Sequence, residues 1–297
     1  MTALSEEQSC REFEALLEGL RRQGLDLTGY REGMLRRRIA GRMGQVNVEL
    51  FGDYLHYVET HPDEVRDLFN AVQINVTSFF RDSDPWNTLY GDIIPAIVSS
   101  KRHNEPIRVW SAGCASGEEA FSLAMLWAES LGVEESSRRV KIYATDVDED
   151  ALSNARRCTY DARTLEAVPV GLRHRYFEPT RERYTVRRDV RRMVIFGRHD
   201  LMHDAPLSRL DLLVCRNTLI YLSTAIQSRI LAWFRFALND HGYLFVGRAE
   251  MLRPHNGLFS PAGFGPSFYA KASRTSHATA LWYPARRGVA YSVGGDR

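Results

Sequence analysis

Two adjacent carboxylates follow a glycine-rich turn about one third of the way along the chain. The segment reads Trp110-Ser-Ala-Gly-Cys-Ala-Ser-Gly-Glu-Glu119 and begins at the end of an apolar stretch that predicts a buried strand. Gly113 and Gly117 allow the backbone to turn tightly and to lie close to a ligand. Their Gly-x-x-x-Gly spacing differs from the Gly-x-Gly-x-x-Gly fingerprint of dinucleotide binding. Carboxylates at the start of a helix interact favourably with the helix dipole, so Glu118 and Glu119 could have a purely structural role. They would repel a pyrophosphate, but they suit a cofactor with an ammonium and a sulfonium, such as S-adenosylmethionine.

A third carboxylate, Asp146, follows the next stretch that predicts a strand, residues 141–145. An acid at this place in a nucleotide-binding fold can accept hydrogen bonds from both ribose hydroxyls. An aspartate after a strand can equally cap the following helix, so the residue type alone leaves both roles open. Because the glycine-rich loop lies at a suitable distance, we predict that Asp146 binds a ribose.

Bringing these acids together requires a parallel sheet. From about residue 106, apolar stretches that predict strands alternate with stretches that predict helices, an alternation typical of the α/β class. We therefore expect a doubly wound, mostly parallel sheet with helices on both faces, which binds ligands beyond the carboxyl ends of its strands. A charged, alternating segment at about 173–193 predicts a small antiparallel β insertion. Predicted strands cover residues 107–110, 141–145, 194–196, 210–215, 242–246 and 267–271, and predicted helices 118–130, 149–157 and 223–238.

The first 70 residues predict helices, one of which is basic. Leu35, Ile39 and Met43 recur every four residues, as expected for one face of a helix. The positions of Arg31, Arg38 and Arg42 form a neighbouring stripe on a helical projection. Such a stripe is either a solvated face or a surface that attracts an acidic partner.

Composition limits the class of protein. The apolar fraction of 44% is typical of a globular core, and a net charge of +2 gives no general reason to expect a nucleic-acid partner. No apolar run reaches the roughly 18 residues that a membrane-spanning helix needs, and the N-terminus lacks the apolar stretch of a secretory signal. The 4 cysteines are isolated and the 9 histidines show no metal-ligand spacing. We therefore expect a cytoplasmic protein with no metal and no membrane insertion.

Three motifs occur in a fixed order. They are Asn75-Val-Thr-Ser-Phe-Phe-Arg-Asp82, the loop from Trp110 to Glu119 with its continuation Ala-Phe-Ser122, and Cys215-Arg-Asn-Thr-Leu-Ile-Tyr221. The set resembles the CheR family of chemoreceptor glutamate methyltransferases over about residues 10–272. This resemblance implies a class I, Rossmann-like methyltransferase fold that uses S-adenosylmethionine. The boundaries we expect are an N-terminal all-α domain (1–72), a linker that contributes to the cofactor site (73–90), a methyltransferase domain (91–273) and a poorly ordered tail (274–297).

The resemblance also implies roles for individual residues. Arg81 and Tyr221 would act at the reaction centre. Glu118 would lie near the methionyl ammonium, although Glu119 could share or exchange that role. Asp200 stands where the family usually has asparagine, so its side-chain contact is open while a backbone contact could survive. The residues expected to bind S-adenosylmethionine or its product S-adenosylhomocysteine are Asn75, Thr77, Arg81, Gly113, Glu118, Asp146, Asp200, Leu201, Cys215 and Arg216.

The implied reaction is methyl transfer to glutamate side chains of a chemoreceptor in chemotaxis adaptation. A glutamate carboxylate has a pKa of about 4.3 and is already ionised near neutral pH, so it needs no general base. Arg81 could orient it through two parallel hydrogen bonds. The arginines at 31, 38 and 42 would then dock the acidic surface of the receptor's helical bundle. The short loop within the β insertion favours docking without a receptor tether.

Two other functions stay open on sequence grounds. A nucleic-acid methyltransferase would use the same cofactor and a basic helix, and a steep salt dependence of DNA or RNA binding would favour it. Base amino-methylases, however, typically carry a Pro-Pro-aromatic motif where this chain has Cys215-Arg-Asn. A non-catalytic module that senses S-adenosylmethionine would have no need of Arg81 and Tyr221. A nicotinamide dehydrogenase is disfavoured by the glycine spacing and the paired glutamates.

Overall fold

The structure is a computed structural model that describes residues 3–250 and 257–272. Over these ranges the chain forms a group of N-terminal helices, a seven-stranded sheet with flanking helices and a separate three-stranded sheet. No helix in the described ranges is both long and apolar enough to span a membrane. The tail predicted for residues 274–297 lies outside the described residues.

The N-terminal helices enclose a small apolar core of their own. Leu35, Ile39 and Met43, which the sequence places on one face of a helix, are all buried in this core. They share a face because residues four positions apart lie about one turn apart on an α-helix. The helices are α1 (Ala3–Arg22), α2 (Glu32–Gln45), α3 (Phe51–Thr60) and α4 (Glu64–Val72).

Arg42, which the sequence places in the docking stripe, forms ion pairs with acids of α4. Its Nε and Nη2 atoms donate to the two carboxylate oxygens of Glu64 at 2.8 and 2.7 Å, and Nη2 also donates to Asp67 at 3.0 Å. Glu64 is only 3% exposed and also accepts a hydrogen bond from Tyr54. Removing the guanidinium would leave a buried carboxylate without its cation, which is strongly destabilising. Arg42 therefore holds α2 against α4, and its guanidinium is not free to dock an acidic partner in this structure.

The main sheet is parallel in its centre and antiparallel at one edge. Its strand order is β6-β2-β1-β7-β8-β10-β9, and the pairs from β6 to β8 are parallel. All of β7 and nearly all of β1 are buried, as expected for central strands that helices cover on both faces. The predicted doubly wound, mostly parallel fold is confirmed. The strands are β1 (Ile107–Ala112), β2 (Val140–Asp146), β3 (Thr159–Asp161), β4 (Phe177–Thr180), β5 (Arg183–Val186), β6 (Val194–Arg198), β7 (Leu210–Cys215), β8 (Leu238–Val246), β9 (Phe259–Pro261) and β10 (Phe268–Lys271).

The remaining helices lie between these strands. Because α7 follows β1, α9 follows β2 and α12 follows β7, the loops that start these helices all lie at the carboxyl edge of the parallel strands. A π-helical turn, Leu89–Ile93, joins α5 (Asp84–Thr88) to α6 (Ile94–Ser100). The remaining helices are α5 (Asp84–Thr88), α6 (Ile94–Ser100), α7 (Glu118–Leu131), α8 (Val133–Arg139), α9 (Glu149–Arg157), α10 (Val170–Tyr176), α11 (Arg188–Arg191) and α12 (Thr224–Ala237).

The small antiparallel sheet begins earlier than the predicted start near residue 173. The β4 and β5 strands pair antiparallel within the expected segment, but β5 also pairs with β3, and residues just before β4 form α10. Cys158 ends α9 with a left-handed φ of 55° and turns the chain into β3. A strand of three residues is too short to show a hydrophobic period, so the sequence pattern missed it.

Candidate functional site

A cavity opens at the carboxyl ends of β1, β2 and β7, and the linker and the N-terminal helices also line it. This is the edge at which parallel sheets bind ligands. Parts of the chain that are far apart in sequence meet here. The predicted site residues that line the cavity are Asn75, Thr77, Arg81, Gly113, Asp146, Asp200, Leu201, Arg216 and Tyr221.

Gly113 carries the chain from β1 into the glycine-rich loop. Its φ of +79° lies in the left-handed region, and its N–H donates to the carbonyl oxygen of Thr145 at 2.8 Å. A Cβ atom at this position would come within 2.4 Å of the Thr218 Oγ1 atom. Both the conformation and the close approach therefore require glycine at this position.

Glu119, rather than Glu118, faces the cavity. Glu118 is buried away from it and accepts a hydrogen bond from the Ser116 hydroxyl at 2.7 Å. Glu119 lines the cavity, accepts from the Ser111 hydroxyl at 2.7 Å and lies 3.8 Å from Nη1 of Arg216. Successive helical residues point about 100° apart, so the two acids at the start of α7 cannot share one direction. Of the two acids that the sequence left open for this role, the structure places Glu119 at the cavity and Glu118 away from it.

Burial raises the pKa of Glu119 to about 7, although Arg216 and the Ser111 hydroxyl act in the opposite direction. We expect the affinity for S-adenosylmethionine to fall as the pH falls below about 7, because only the ionised carboxylate attracts a cationic group. Calorimetry between pH 6 and 8, in buffers of different ionisation enthalpy, should also detect proton release on binding. The Glu119→Gln variant is the control and should bind weakly with little pH dependence. An unchanged pH profile in this variant would contradict the assignment.

Asp146 is held rigidly at the end of β2. Its Oδ2 atom accepts from the Ala115 N–H at 2.8 Å, and its Oδ1 atom accepts from the Asp148 N–H at 3.0 Å. A carboxylate has about four lone-pair positions, so each oxygen can still accept a further hydrogen bond from a ligand hydroxyl. Burial raises the pKa of Asp146, as expected for an acid that lines a cavity.

The linker is fixed from behind by aromatic packing and hydrogen bonds. Phe79 is buried, with its ring edge-on to Tyr160. The carbonyl oxygen of Arg81 accepts from Trp86 Nε1 at 2.8 Å and from Arg216 Nη2 at 2.7 Å. The Arg81 guanidinium lines the cavity and donates from Nη1 to the carbonyl oxygen of Val76 at 2.7 Å. The backbone that carries Arg81 is therefore firmly anchored, while its charged group lies at the cavity.

Two other predicted cofactor residues, Cys215 and Asp200, lie in different surroundings. Cys215, predicted to border the cofactor at a strand end, is the last residue of β7, where it is completely buried in the apolar core and does not line the cavity. Asp200 does line the cavity, but its carboxylate is already engaged. Its Oδ1 atom accepts from the Met202 N–H and its Oδ2 atom pairs with His203 Nδ1, both at 2.8 Å.

Tyr30 and Asn217 are two of the cavity residues that the sequence interpretation missed. Tyr30 lies in the loop between α1 and α2, and its hydroxyl accepts from Gln73 Nε2 at 3.2 Å. A short bridge holds this segment against the third motif, because the Arg31 N–H donates to the Tyr221 carbonyl oxygen at 2.8 Å. No local pattern marks Tyr30. Asn217 could have been found, because it stands next to Arg216 inside a motif that was recognised.

The polar atoms of the cavity fit a polar ligand. Among the described residues, His199 Nδ1, Arg216 Nε and Asn217 Oδ1 are buried without a hydrogen-bond partner, and all three side chains line this cavity. Buried polar groups nearly always have partners, so a ligand with several donors and acceptors suits the site. S-adenosylmethionine is such a ligand. No group of His, Cys, Asp or Glu side chains in the described ranges could hold a metal ion.

A mostly parallel sheet with carboxylates at its strand ends is the arrangement of nucleotide-binding folds, which include the S-adenosylmethionine-dependent methyltransferases. Two family models agree with this class: "CheR methyltransferase, SAM binding domain" matches residues 75–265, and "CheR methyltransferase, all-alpha domain" matches residues 11–72. The chain therefore belongs to the CheR methyltransferase family.

Curated relatives support the same family. The chain is 32% identical over 242 residues to "Chemotaxis protein methyltransferase" of Listeria monocytogenes, and the matched region covers 82% of this chain and 88% of that protein. It is 32% identical over 264 residues to "Chemotaxis protein methyltransferase 1" of Vibrio cholerae, covering 85% and 92% respectively. A 104.1 kDa protein of Rhodobacter capsulatus is 38% identical over 224 residues, or 75% of this chain, but the match spans only 23% of that longer protein.

Proposed function

We propose that this protein transfers the methyl group of S-adenosylmethionine to glutamate side chains on the cytoplasmic helical bundle of a chemoreceptor. The supporting observation is that one cavity is lined by Asp146 and Glu119 as well as by Arg81 and Tyr221. The acids suit the ribose and the ammonium of the cofactor, and the arginine and tyrosine suit a carboxylate substrate. A cytoplasmic location is part of this proposal.

The residues of the cavity would act mainly by orientation. The bound cofactor supplies a methyl group on a positively charged sulfur. A substrate carboxylate oxygen forms the new C–O bond as the C–S bond breaks, which leaves a neutral thioether. Arg81 would hold the carboxylate in line with the methyl group, and Tyr221 would donate a hydrogen bond to it. Because the carboxylate is already ionised, no residue has to remove a proton, and the rate comes from alignment and water exclusion.

The test is methyl transfer from labelled S-adenosylmethionine to receptor-enriched membranes. We expect base-labile label on the receptor, since a methyl ester hydrolyses in alkali and a methylated amine does not. A receptor truncated at its C-terminus should be labelled equally well if docking needs no tether, as the short β4–β5 loop favours. Tight cofactor binding without transfer to any receptor would instead favour a sensor, and label on DNA or RNA would favour a nucleic-acid methyltransferase.

The exposed face of α2 is the proposed docking surface for the receptor. Of the three predicted docking arginines, Arg31 is exposed, Arg38 is half-buried and Arg42 is engaged with Glu64. Arg37, next to Arg38 on α2, is also exposed. We expect that the double variant Arg37→Glu and Arg38→Glu raises the KM for the receptor about 10-fold at low salt, because two attractive contacts become repulsive. The Kd for S-adenosylhomocysteine should not change.

A double reversal on α1 provides the matched control for this docking prediction. Arg21 and Arg22 are also exposed, and they pair only with Glu18 of the same helix among the described residues. Changing both to glutamate alters the net charge by the same amount at another surface. Equal increases in KM for the two double variants would show a general charge effect and would contradict docking through α2.

A further inference from the structure

A buried carboxylate lies behind the cavity wall and has no part in the reaction described above. Glu250 follows β8 in a single 3₁₀ turn, Arg248–Glu250, and is 7% exposed. Its Oε1 atom accepts from the backbone N–H groups of Thr218 and Leu219 at 2.7 and 2.6 Å. Its Oε2 atom accepts from the N–H groups of Asn217 and Gly247 at 2.6 and 3.0 Å. One side chain therefore binds three successive backbone donors of a single loop.

That loop carries much of the cavity wall. It follows β7 and supplies four residues that line the cavity, Arg216, Asn217, Thr218 and Tyr221. Asn217 has a φ of +58°, a left-handed conformation that a residue with a side chain adopts at a cost. The N–H groups of Asn217 and Thr218 both donate to the buried Glu250 carboxylate. These bonds would offset that cost, because hydrogen bonds to a charged group are stronger than those between neutral groups.

The end of β8 is shaped to admit this carboxylate. A Cβ atom on Gly247 would lie 2.8 Å from Glu250 Oε2 and 3.1 Å from the backbone nitrogen of Asn217. Real Cβ atoms do not come this close to an oxygen, so glycine is needed for the carboxylate to reach the loop. Among the described residues no lysine or arginine forms an ion pair with Glu250, which leaves the four N–H groups to stabilise its charge.

We propose that Glu250 is a positioning residue for methyl transfer: its carboxylate sets the backbone of residues 217–219 and thereby aims Asn217 and Tyr221 into the cavity. This inference rests on the proposed function. Glu250 itself does not line the cavity, so it acts through the loop and does not touch the cofactor or the substrate.

The Glu250→Gln variant tests this role. Glutamine offers one carbonyl oxygen in place of two carboxylate oxygens, and its amide group would face two of the N–H donors. We expect the Kd for S-adenosylhomocysteine, measured by calorimetry, to rise about 10-fold and kcat to fall by a similar factor, with an unchanged KM for the receptor. A general loss of stability would also lower the apparent kcat, through a smaller folded fraction, but it would leave the Kd of the folded protein unchanged, so the rise in Kd is the result that distinguishes the two.

Asp211→Asn is the matched control. Asp211 is also buried and also accepts a backbone N–H, that of Arg108 at 2.9 Å, but it lies near the other end of β7, far along the strand from the cavity. This variant should lower the melting temperature and leave the Kd for S-adenosylhomocysteine within about two-fold. If Glu250→Gln lowers the melting temperature as the control does while Kd and kcat stay at wild-type values, Glu250 is only structural and the proposal is wrong.

A second variant covers the case in which Glu250→Gln does not fold. Gly247→Ala keeps the carboxylate but pushes it away from the loop, and it should likewise raise the Kd and lower kcat. Wild-type values in a folded Gly247→Ala protein would overturn the proposal. If the wild-type protein itself fails to bind S-adenosylhomocysteine, the proposed function is refuted, which is a different outcome from the failure of the Glu250 variants alone.

Discussion

Replacing Asp146 with alanine is expected to weaken the binding of S-adenosylmethionine by about 100-fold, as measured by calorimetry. Each hydrogen bond from a ribose hydroxyl to an ionised carboxylate contributes about 1.5 kcal/mol or more, and two of them correspond to a factor of about 100 in Kd. The carboxylate lies at the carboxyl end of β2, in the cavity, and two backbone N–H groups fix its orientation. The loss should appear in Kd for the product S-adenosylhomocysteine as well, because both compounds carry the same ribose.

A ligand lacking both ribose hydroxyls separates this direct role from a local distortion. Asp146 also holds the N–H of Ala115, so the alanine variant could move the glycine-rich loop. If the carboxylate binds the hydroxyls, removing either group loses the same hydrogen bonds. The two losses of binding free energy should therefore not add when both groups are removed. Fully additive losses would mean that Asp146 acts through the loop and not on the ribose.

The Arg81→Ala variant is expected to lower kcat by about 100-fold and to raise the Kd for S-adenosylhomocysteine by a much smaller factor. Alignment of the reacting atoms accounts for most of the rate when no proton has to be moved, and small misplacements cost factors of this size. The Arg81 backbone is anchored by Trp86 and Arg216, so the loss of the side chain should leave the linker in place. Methyl transfer to the receptor and calorimetry together measure the two quantities.

Lysine at position 81 distinguishes geometry from charge. It keeps the positive charge but lacks the planar pair of donors that matches a carboxylate, so we expect an activity between those of the wild type and the alanine variant. Arg66→Ala serves as the control, because Arg66 is an exposed arginine on α4 that pairs with acids of its own segment. A large rise in the Kd for S-adenosylhomocysteine with an unchanged kcat would assign Arg81 to cofactor binding alone.

The docking surface shows why a helical projection is not enough. Spacing correctly predicted that Leu35, Ile39 and Met43 are buried, since these residues depend only on the period of the helix. The same projection placed Arg42 on an outer stripe, but Glu64 lies 22 residues further along the chain and pairs with it. The position of a charged side chain depends on what the neighbouring helix presents, and a single helix does not contain that information.

The sequence by itself determined the α/β class, the strands of the parallel part of the main sheet and the loops that meet at the carboxyl ends of these strands. These features follow from short-range patterns: apolar runs, the glycine positions and the acids directly after a strand. The family resemblance then pointed to Arg81, Asp146 and Tyr221, all of which line the cavity. Such residues could be found because each lies within a few positions of a recognisable local signal.

Only the tertiary structure decided which side chains face the cavity and what holds them there. It separated Glu119 from Glu118, which are adjacent in sequence but point in different directions from α7. It brought Tyr30 from the loop between α1 and α2 to the cavity, and Glu250 from beyond β8 to the loop that carries Asn217. Contacts across tens or hundreds of residues depend on how whole elements pack together, and no local pattern in the sequence encodes that packing.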